Sequence, residues 1–194
     1  MKCLRVFLIV LAGITLPLWS SHAFGDMVGY SKIVDLRAET AEVVAEHHHD
    51  WSKATQEARW KMISGAKDPF TAENTYSYLS LTDRASGRRI FRRPVPALTY
   101  LWISPDSGYV VGLSDVKLAN PYQLVVFSRS GQRVFERRIT AESWPGVLES
   151  VTNRVDWYKE PTPAISLRSN RGEVVLSIED RLGTPREFRF HASD

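Results

Sequence analysis

Short apolar segments separated by glycine- and proline-containing turns fill the chain from Tyr76 onward. Apolar runs of this length between turn residues predict β-strands. The predicted strands are Tyr78–Thr82, Arg89–Val95, Leu98–Ser104, Tyr109–Ser114, Gln123–Ser128, Arg133–Ile139, Arg154–Tyr158, Ala164–Arg168, Val174–Glu179 and Arg186–Phe190. Hairpin turns are predicted at Arg84–Gly87, Pro105–Gly108 and Arg129–Gly131, because Pro, Asp, Ser and Gly suit tight turns. The regular spacing predicts an antiparallel, mainly β domain over residues 76–194.

Residues 24–75 have a different pattern. Apolar residues recur there at three- and four-residue steps, which is the spacing of one helix face. The residues are Ile33, Leu36, Val43, Val44, His47, Trp51, Ala54, Ala58 and Met62. The alternative is a strand over Glu42–Trp51, with Val43, Ala45, His47 and His49 on one side. We favour the helix because Ala and Glu, which are good helix formers, are frequent in this segment.

Two stretches of the chain that lie 44 residues apart have similar sequences. Ser86–Arg93 and Ser130–Arg137 share five of eight residues, and each follows a short apolar run. A weaker third copy includes Val174–Ile178, Gly183 and Phe188–Phe190. A period of about 40–45 residues composed of short strands is typical of a repeated β-sheet unit.

The first 23 residues are predicted to be a secretory signal peptide. Lys2 and Arg5 provide a positive start, and the apolar run Val6–Leu18 is too short to span a bilayer. The small residues Ser21 and Ala23 complete the pattern of a cleavage site, which is predicted to follow Ala23. No other stretch of the sequence is predicted to cross a membrane. We therefore expect a periplasmic or secreted protein of the bacterial envelope.

Composition narrows the possible functions. The one cysteine, Cys3, lies within the signal, so the mature chain has neither disulfides nor cysteine ligands. Loss of Lys2 and Arg5 from the 25 basic residues leaves 23, against 22 acidic residues. A mature chain this close to neutral lacks the charge typical of a nucleic-acid-binding protein.

The segment Trp102-Ile103-Ser104-Pro105-Asp106-Ser107-Gly108-Tyr109-Val110-Val111 resembles the W-S-P-D-G-x-x-[ILV] core of TolB-type, WD40-like β-propeller repeats. The resemblance covers Leu98–Ile139 and implies a four-stranded blade. This sequence differs from the motif because Ser107 separates Asp106 from the glycine. One full unit, most of a second and half of a third are present, whereas closed rings generally have four or more blades; a divergent four-blade ring is the alternative. We expect propeller-like antiparallel units in an open sheet or incomplete propeller, with an N-terminal helical segment.

Three groups of residues could support chemistry. His47 and His49 are weak metal candidates within His47–Asp50, because they share a face only if the segment is a strand. Ser64 and Lys67 match an S-x-x-K pattern, although the other motifs of those acyl-enzymes are absent. Carboxylates near predicted strand ends are Asp106, Asp115, Asp156, Glu160 and Asp180, all of which also suit turns. We expect no catalytic set, no metal and no cofactor.

The predicted binding residues are aromatic and basic. Trp144 lies in a Ser-Trp-Pro-Gly loop, where a tryptophan is a candidate contact residue, whereas Trp102 and Trp157 are predicted to be core residues. A contact face is predicted at the loops Asp115–Tyr122 and Glu142–Val147. The individual residues are Trp144, Tyr122, Arg88, Arg92, Arg133 and Arg137.

Export, a β repeat and no convincing catalytic set together favour a non-catalytic protein-binding module. Its partner would be another envelope protein, and an inhibitor or immunity-like role is one form of this hypothesis. An open sheet edge also makes a homo-oligomer possible. The alternative is a small periplasmic hydrolase acting on cell-wall or lipid substrates through His47–Asp50 or Ser64 and Lys67.

Overall fold

The computed structural model describes residues 33–50, 68–117, 122–142, 144–149 and 154–191, most of which form antiparallel β-structure. The strands are β1 (Ile33–Glu39), β2 (Val43–Asp50), β3 (Ser77–Asp83), β4 (Arg89–Pro94), β5 (Tyr100–Ile103), β6 (Tyr109–Leu113), β7 (Leu124–Ser128), β8 (Arg133–Arg137), β9 (Leu148–Glu149), β10 (Val155–Asp156), β11 (Ile165–Asn170), β12 (Glu173–Glu179) and β13 (Pro185–His191). The mainly β prediction is confirmed. Over these described ranges, no helix is long and apolar enough to cross a membrane.

Strands that are consecutive in the chain are neighbours in space. The first sheet has the order β1-β2-β3-β4, the second β5-β6-β7-β8 and the third β11-β12-β13, while β9 and β10 form a separate pair. None of these sheets closes on itself. Because β2 pairs with β3, the first sheet takes strands from both sides of the predicted boundary between residues 75 and 76.

The helix predicted from the apolar spacing is not formed by the residues from Ile33 to Asp50, which are β1 and β2. For those residues the helix prediction is wrong, whereas residues 51–62 lie outside the described part of the chain. The strand alternative is confirmed over Val43–Asp50: Val43, Ala45, His47 and His49 lie on one side and are all buried. Val44 is buried on the other side of β2, which blurs the two-residue alternation in the sequence.

The second sheet lies between the first and the third. One of its faces packs on the first sheet through Leu101, Ile103, Val110, Val125 and Phe127. Its other face packs on the third sheet through Val111, Leu113, Leu124 and Val126. A strand covered on both faces is apolar at every position, as in Leu124–Phe127. In β3, by contrast, Leu79 and Leu81 face the core while Ser80 and Thr82 face outward.

The sequence repeat is also a repeat of backbone geometry. The β3–β4 and β7–β8 hairpins both turn through a glycine with positive φ, 68° at Gly87 and 86° at Gly131. Both also contain a β-bulge at the equivalent place. After it, Phe91 lies opposite Leu81, and Phe135 lies opposite Val126. Each of these phenylalanines packs toward the following sheet, Phe91 on Phe127 and Phe135 on Phe188 and Phe190.

The turn between β5 and β6 has a serine that the propeller motif lacks. The Asp106 carboxylate accepts hydrogen bonds from the Ser104 hydroxyl and, at 3.0 Å, from the Gly108 amide. The inserted Ser107 has φ of 57°, in the left-handed region, and its hydroxyl lies 2.8 Å from that of Thr40 in the β1–β2 turn. The extra residue therefore links the second sheet to the first.

Candidate functional site

The arginines of β4 differ from most others in the described chain. Arg88, Arg89, Arg92 and Arg93 are exposed, and none forms an ion pair within the described residues. Arginines that do pair with carboxylates are Arg37, Arg84, Arg129, Arg133, Arg137, Arg154, Arg168, Arg186 and Arg189. We call Arg88, Arg89, Arg92 and Arg93 the β4 arginine surface. It contains two of the predicted binding residues, Arg88 and Arg92.

A β-bulge determines which of these side chains lie together. Residues three apart on a regular strand point to opposite faces. The extra residue in β4 changes this, because Arg89 lies opposite Thr82 and Arg92 lies opposite Ser80, two outward-facing positions on β3. Arg89 and Arg92 therefore share the outer face, separated by about two strand residues, or roughly 7 Å.

Arg89 and Arg92 line a groove of about 470 Å³ on the outer face of the first sheet. We call this cavity the outer groove. Its other lining residues are Asp35, Leu36, Arg37, Glu46, His47, His48, Tyr78 and Ser80. The Arg92 guanidinium carbon lies 3.8 Å from the centroid of the Tyr78 ring. Stacking on an aromatic ring holds the planar guanidinium in place while leaving its edge free to donate.

The carboxylates of the outer-groove wall formed by β1 and β2 have partners on that same wall. Arg37 donates to the Glu46 carboxylate at 2.9 Å, and His48 Nδ1 lies 2.7 Å from the Asp35 carboxylate. The β3–β4 wall has only Arg89 and Arg92 as charged side chains. The groove therefore has one wall with internally bonded carboxylates and one wall whose charged side chains are both arginines.

Two further cavities border β4. One, of about 360 Å³, is lined by Phe70, Arg93 and Arg133, among others. The second, of about 310 Å³, is lined by Arg92, Arg93 and Asn74, among others. The Arg133 guanidinium carbon lies 3.9 Å from the Phe70 ring centroid, and the Tyr122 ring packs against the same phenylalanine. The structure thus brings Arg92, Arg133 and Tyr122, three of the predicted binding residues, to the surroundings of β4.

Trp144 and Arg137 lie elsewhere. Trp144 is half-buried and packs on Trp157 and Phe188 at the third sheet, with ring centroids 6.4 Å and 5.6 Å away. Arg137 pairs with Glu142 at 2.6 Å. The prediction that Trp157 is a core residue is confirmed by its 1% exposure. Trp102 is half-buried against the same core. Residues 118–121 and 143 of the two predicted contact loops lie outside the described ranges.

His47 and His49 form a buried pair on β2. His47 Nε2 accepts a hydrogen bond from the Leu98 amide at 3.1 Å and lies 3.2 Å from His49 Nδ1. Burial lowers the pKa of His47 to about 3 and that of His49 to about 4. Within the described residues there is no group of three or more metal-ligating side chains. Leu98 belongs to the segment between the first two sheets. Its hydrogen bond to His47 therefore attaches that segment to β2.

Three of the five candidate carboxylates converge on one guanidinium. Arg154 Nε lies 3.5 Å from Asp115 and 2.6 Å from Asp156, and the Arg154 guanidinium also pairs with Glu160. Burial raises the pKa of Asp115. The other two, Asp106 and Asp180, accept hydrogen bonds within their own turns. Ser64 and Lys67 lie outside the described part of the chain.

Sequence reasoning missed Arg89, Arg93 and Tyr78. The repeat itself contained a signal, because Arg92 replaces the glutamate of the second copy, Glu136. Comparison with known protein families, with curated proteins and with solved structures finds no match to this chain.

Proposed function

We propose that the chain is a non-catalytic, exported protein-binding module of the bacterial envelope, with the β4 arginine surface as its contact site. The proposal rests above all on the exposed arginines of the β4 arginine surface, which form no ion pair with the described carboxylates. An inhibitor or immunity-like protein fits this description. The partner would be another envelope protein that presents an acidic surface.

Charge and geometry both support this surface as a contact site. Arg89 and Arg92 share one face and so repel each other, a cost that an anionic partner would remove. Arginine is enriched at protein interfaces, and a guanidinium stacked on a ring loses less side-chain entropy on binding. Positive charge that no described carboxylate pairs with also accelerates association with an acidic partner. Exposed arginines additionally protect a sheet edge from unwanted pairing, which is compatible with binding one acidic partner.

We also propose that the three sheets are propeller-like units stacked in series in an open arrangement. Support comes from the shared bulge and turn of the first two units and from phenylalanines that pack on the following sheet. The outward face of the third sheet is polar, with Arg168 paired to Glu187 and Arg189 paired to Glu173. Polar outer faces are what end a stack of repeats.

The experiment is capture of a partner from an envelope extract with residues 24–194 as bait, followed by mass spectrometry. We expect one stoichiometric partner that is lost when Arg88 and Arg92 are both changed to Glu. The control changes Arg181 and Arg171 to Gln, since both are exposed arginines without ion pairs in the described third sheet region. A folded bait that captures nothing would contradict the proposal. Capture that survives the double Glu variant would place the contact site elsewhere.

A further inference from the structure

We infer that Arg89 and Arg92 together bind one carboxylate of the partner in the outer groove, and that this carboxylate takes over the role that Glu136 has toward Arg133 in the second sheet. This inference rests on the proposed function and specifies its chemistry. It follows from comparing two copies of one bulged hairpin within the same molecule.

The two hairpins align residue by residue. Arg89 lies opposite Thr82 just before the bulge, and Arg133 lies opposite Phe127 at the same point. After the bulge, Arg92 lies opposite Ser80, and Glu136 lies opposite Val125. Arg89 therefore corresponds to Arg133, and Arg92 to Glu136.

In the second sheet, the side chains at these two positions meet. Arg133 Nε lies 2.9 Å from Glu136 Oε2, so the bulge brings a guanidinium and a carboxylate into hydrogen-bonding distance. In the first sheet, the same backbone presents two guanidinium groups. Arg89 and Arg92 line the same groove, where the Arg92 guanidinium rests over Tyr78. A carboxylate that enters the groove between them can accept charge-assisted hydrogen bonds from both, with donor–acceptor distances of about 2.7–2.9 Å.

The surroundings leave this place open to a ligand. The equivalent face of the second sheet is covered by the first sheet, whereas no described strand precedes the first sheet, and its face forms the outer groove. The nearby carboxylates on the facing wall are already engaged, Glu46 by Arg37 and Asp35 by His48. Within the described residues, neither carboxylate forms an ion pair with Arg89 or Arg92.

The chain itself offers few carboxylates for this position. The segment that leaves β2 after Asp50 and returns at Asp68 contains Lys53, Arg59, Lys61 and Lys67, against one acidic residue, Glu57. A basic segment is repelled by the β4 arginine surface. Charge complementarity therefore favours an acidic segment of a partner protein as the occupant.

The test uses a fluorescein-labelled peptide of about eight residues that alternates glutamate and threonine, with binding measured by fluorescence anisotropy in about 50 mM salt. We expect Arg92→Glu to weaken binding by about tenfold or more, because it recreates the self-neutralised pair of the second sheet. Arg92→Gln should weaken it less. The matched control Arg181→Glu changes net charge equally, and its binding should stay within about twofold.

The outcomes separate this inference from the proposed function. Unchanged peptide binding by folded Arg92→Glu would overturn the carboxylate site, even if the bait still captures a partner. If the bait captures no partner but the peptide still binds in an Arg92-dependent way, the protein-binding function is refuted and the carboxylate site stands. A peptide with phosphothreonine in place of glutamate should bind no more than about tenfold tighter; a larger gain would make the ligand group a phosphate.

Discussion

In the first sheet, Ser80, Thr82 and Arg92 occupy the positions that Val125, Phe127 and Glu136 hold in the second. Both sheets have the same hairpin, glycine turn and bulge. The second sheet has a preceding sheet on this face, and the first has none in the described chain. The difference teaches that repeated backbone geometry is set by turns and register, whereas the polarity of a face is set by its position in the stack.

The largest contrast concerns a buried histidine where the second sheet has leucine. His47 lies opposite Leu79, and Leu113 lies opposite Leu124 at the equivalent place. Unfolded histidine gains a proton below its usual pKa of 6.5, whereas the native pKa values are about 3 for His47 and about 4 for His49. The unfolded state therefore binds more protons, and the free energy of unfolding falls as pH falls.

We expect a loss of roughly 2 kcal/mol per histidine between about pH 7 and about pH 5. Denaturant unfolding at several pH values measures it. His47→Leu should remove about half of this pH dependence, because one of the two buried neutral imidazoles is then absent. Equal pH dependence in wild type and His47→Leu would show that His47 is not buried in its neutral form.

The two turn glycines give the next contrast. A Cβ at Gly131 would lie 2.7 Å from the Phe91 side chain, whereas a Cβ at Gly87 would meet nothing within 4 Å. Both positions have positive φ, so alanine is strained at either one. Gly131→Ala should cost about 3 kcal/mol of unfolding free energy and Gly87→Ala about 1 kcal/mol. Urea midpoints measure both, and equal losses would mean that Phe91 moves aside freely.

A smaller effect is expected from exchanging the residues opposite the bulged strands. Val125 is 0% exposed between the first two sheets, whereas Ser80 is 7% exposed and lies at the floor of the outer groove. Val125→Ser should cost about 2 kcal/mol, because it removes apolar contacts and buries a hydroxyl. Ser80→Val should change stability by less than about 1 kcal/mol, since no sheet of the described residues covers that face and the larger side chain can extend into the outer groove. Thermal unfolding compares the pair, and a large loss in Ser80→Val would indicate a covered face.

The smallest predicted effect is on the free energy of unfolding, which two charge exchanges should shift in opposite directions. Arg92→Glu should stabilise the first sheet by about 0.5 kcal/mol by removing repulsion from Arg89, and Glu136→Arg should destabilise the second by about the same. The pair in the second sheet is partly exposed, at 37% for Arg133 and 30% for Glu136, so water screens it. Added salt should reduce both shifts. Changes of the same sign would contradict the equivalence of the two positions.

The sequence predicted the strands from β3 onward, except the two-residue β9, because glycine and proline turns are local signals. It failed over β1 and β2, since Val43, Val44 and Ala45 are buried together and their apolar spacing also fits a helix. Pairing of β2 with a distant β3 decided that segment, and distant pairing leaves no local signal. Two residues of the β4 arginine surface, Arg88 and Arg92, were predicted from the sequence as binding residues. Arg89 was missed because a bulge, which hydropathy does not show, brings it beside Arg92.

The segment between the first two sheets ties the whole stack together. The Leu98 amide bonds to His47 in the first sheet, and the Leu98 side chain fills the space above Gly112 in the second. The hydroxyl of the next residue, Thr99, lies 2.9 Å from the Tyr158 hydroxyl beside the third sheet. Stacked repeats can unfold one at a time, but this connection opposes partial unfolding. Unfolding should therefore be cooperative, and the Leu98 amide should exchange its hydrogen only when the entire protein unfolds.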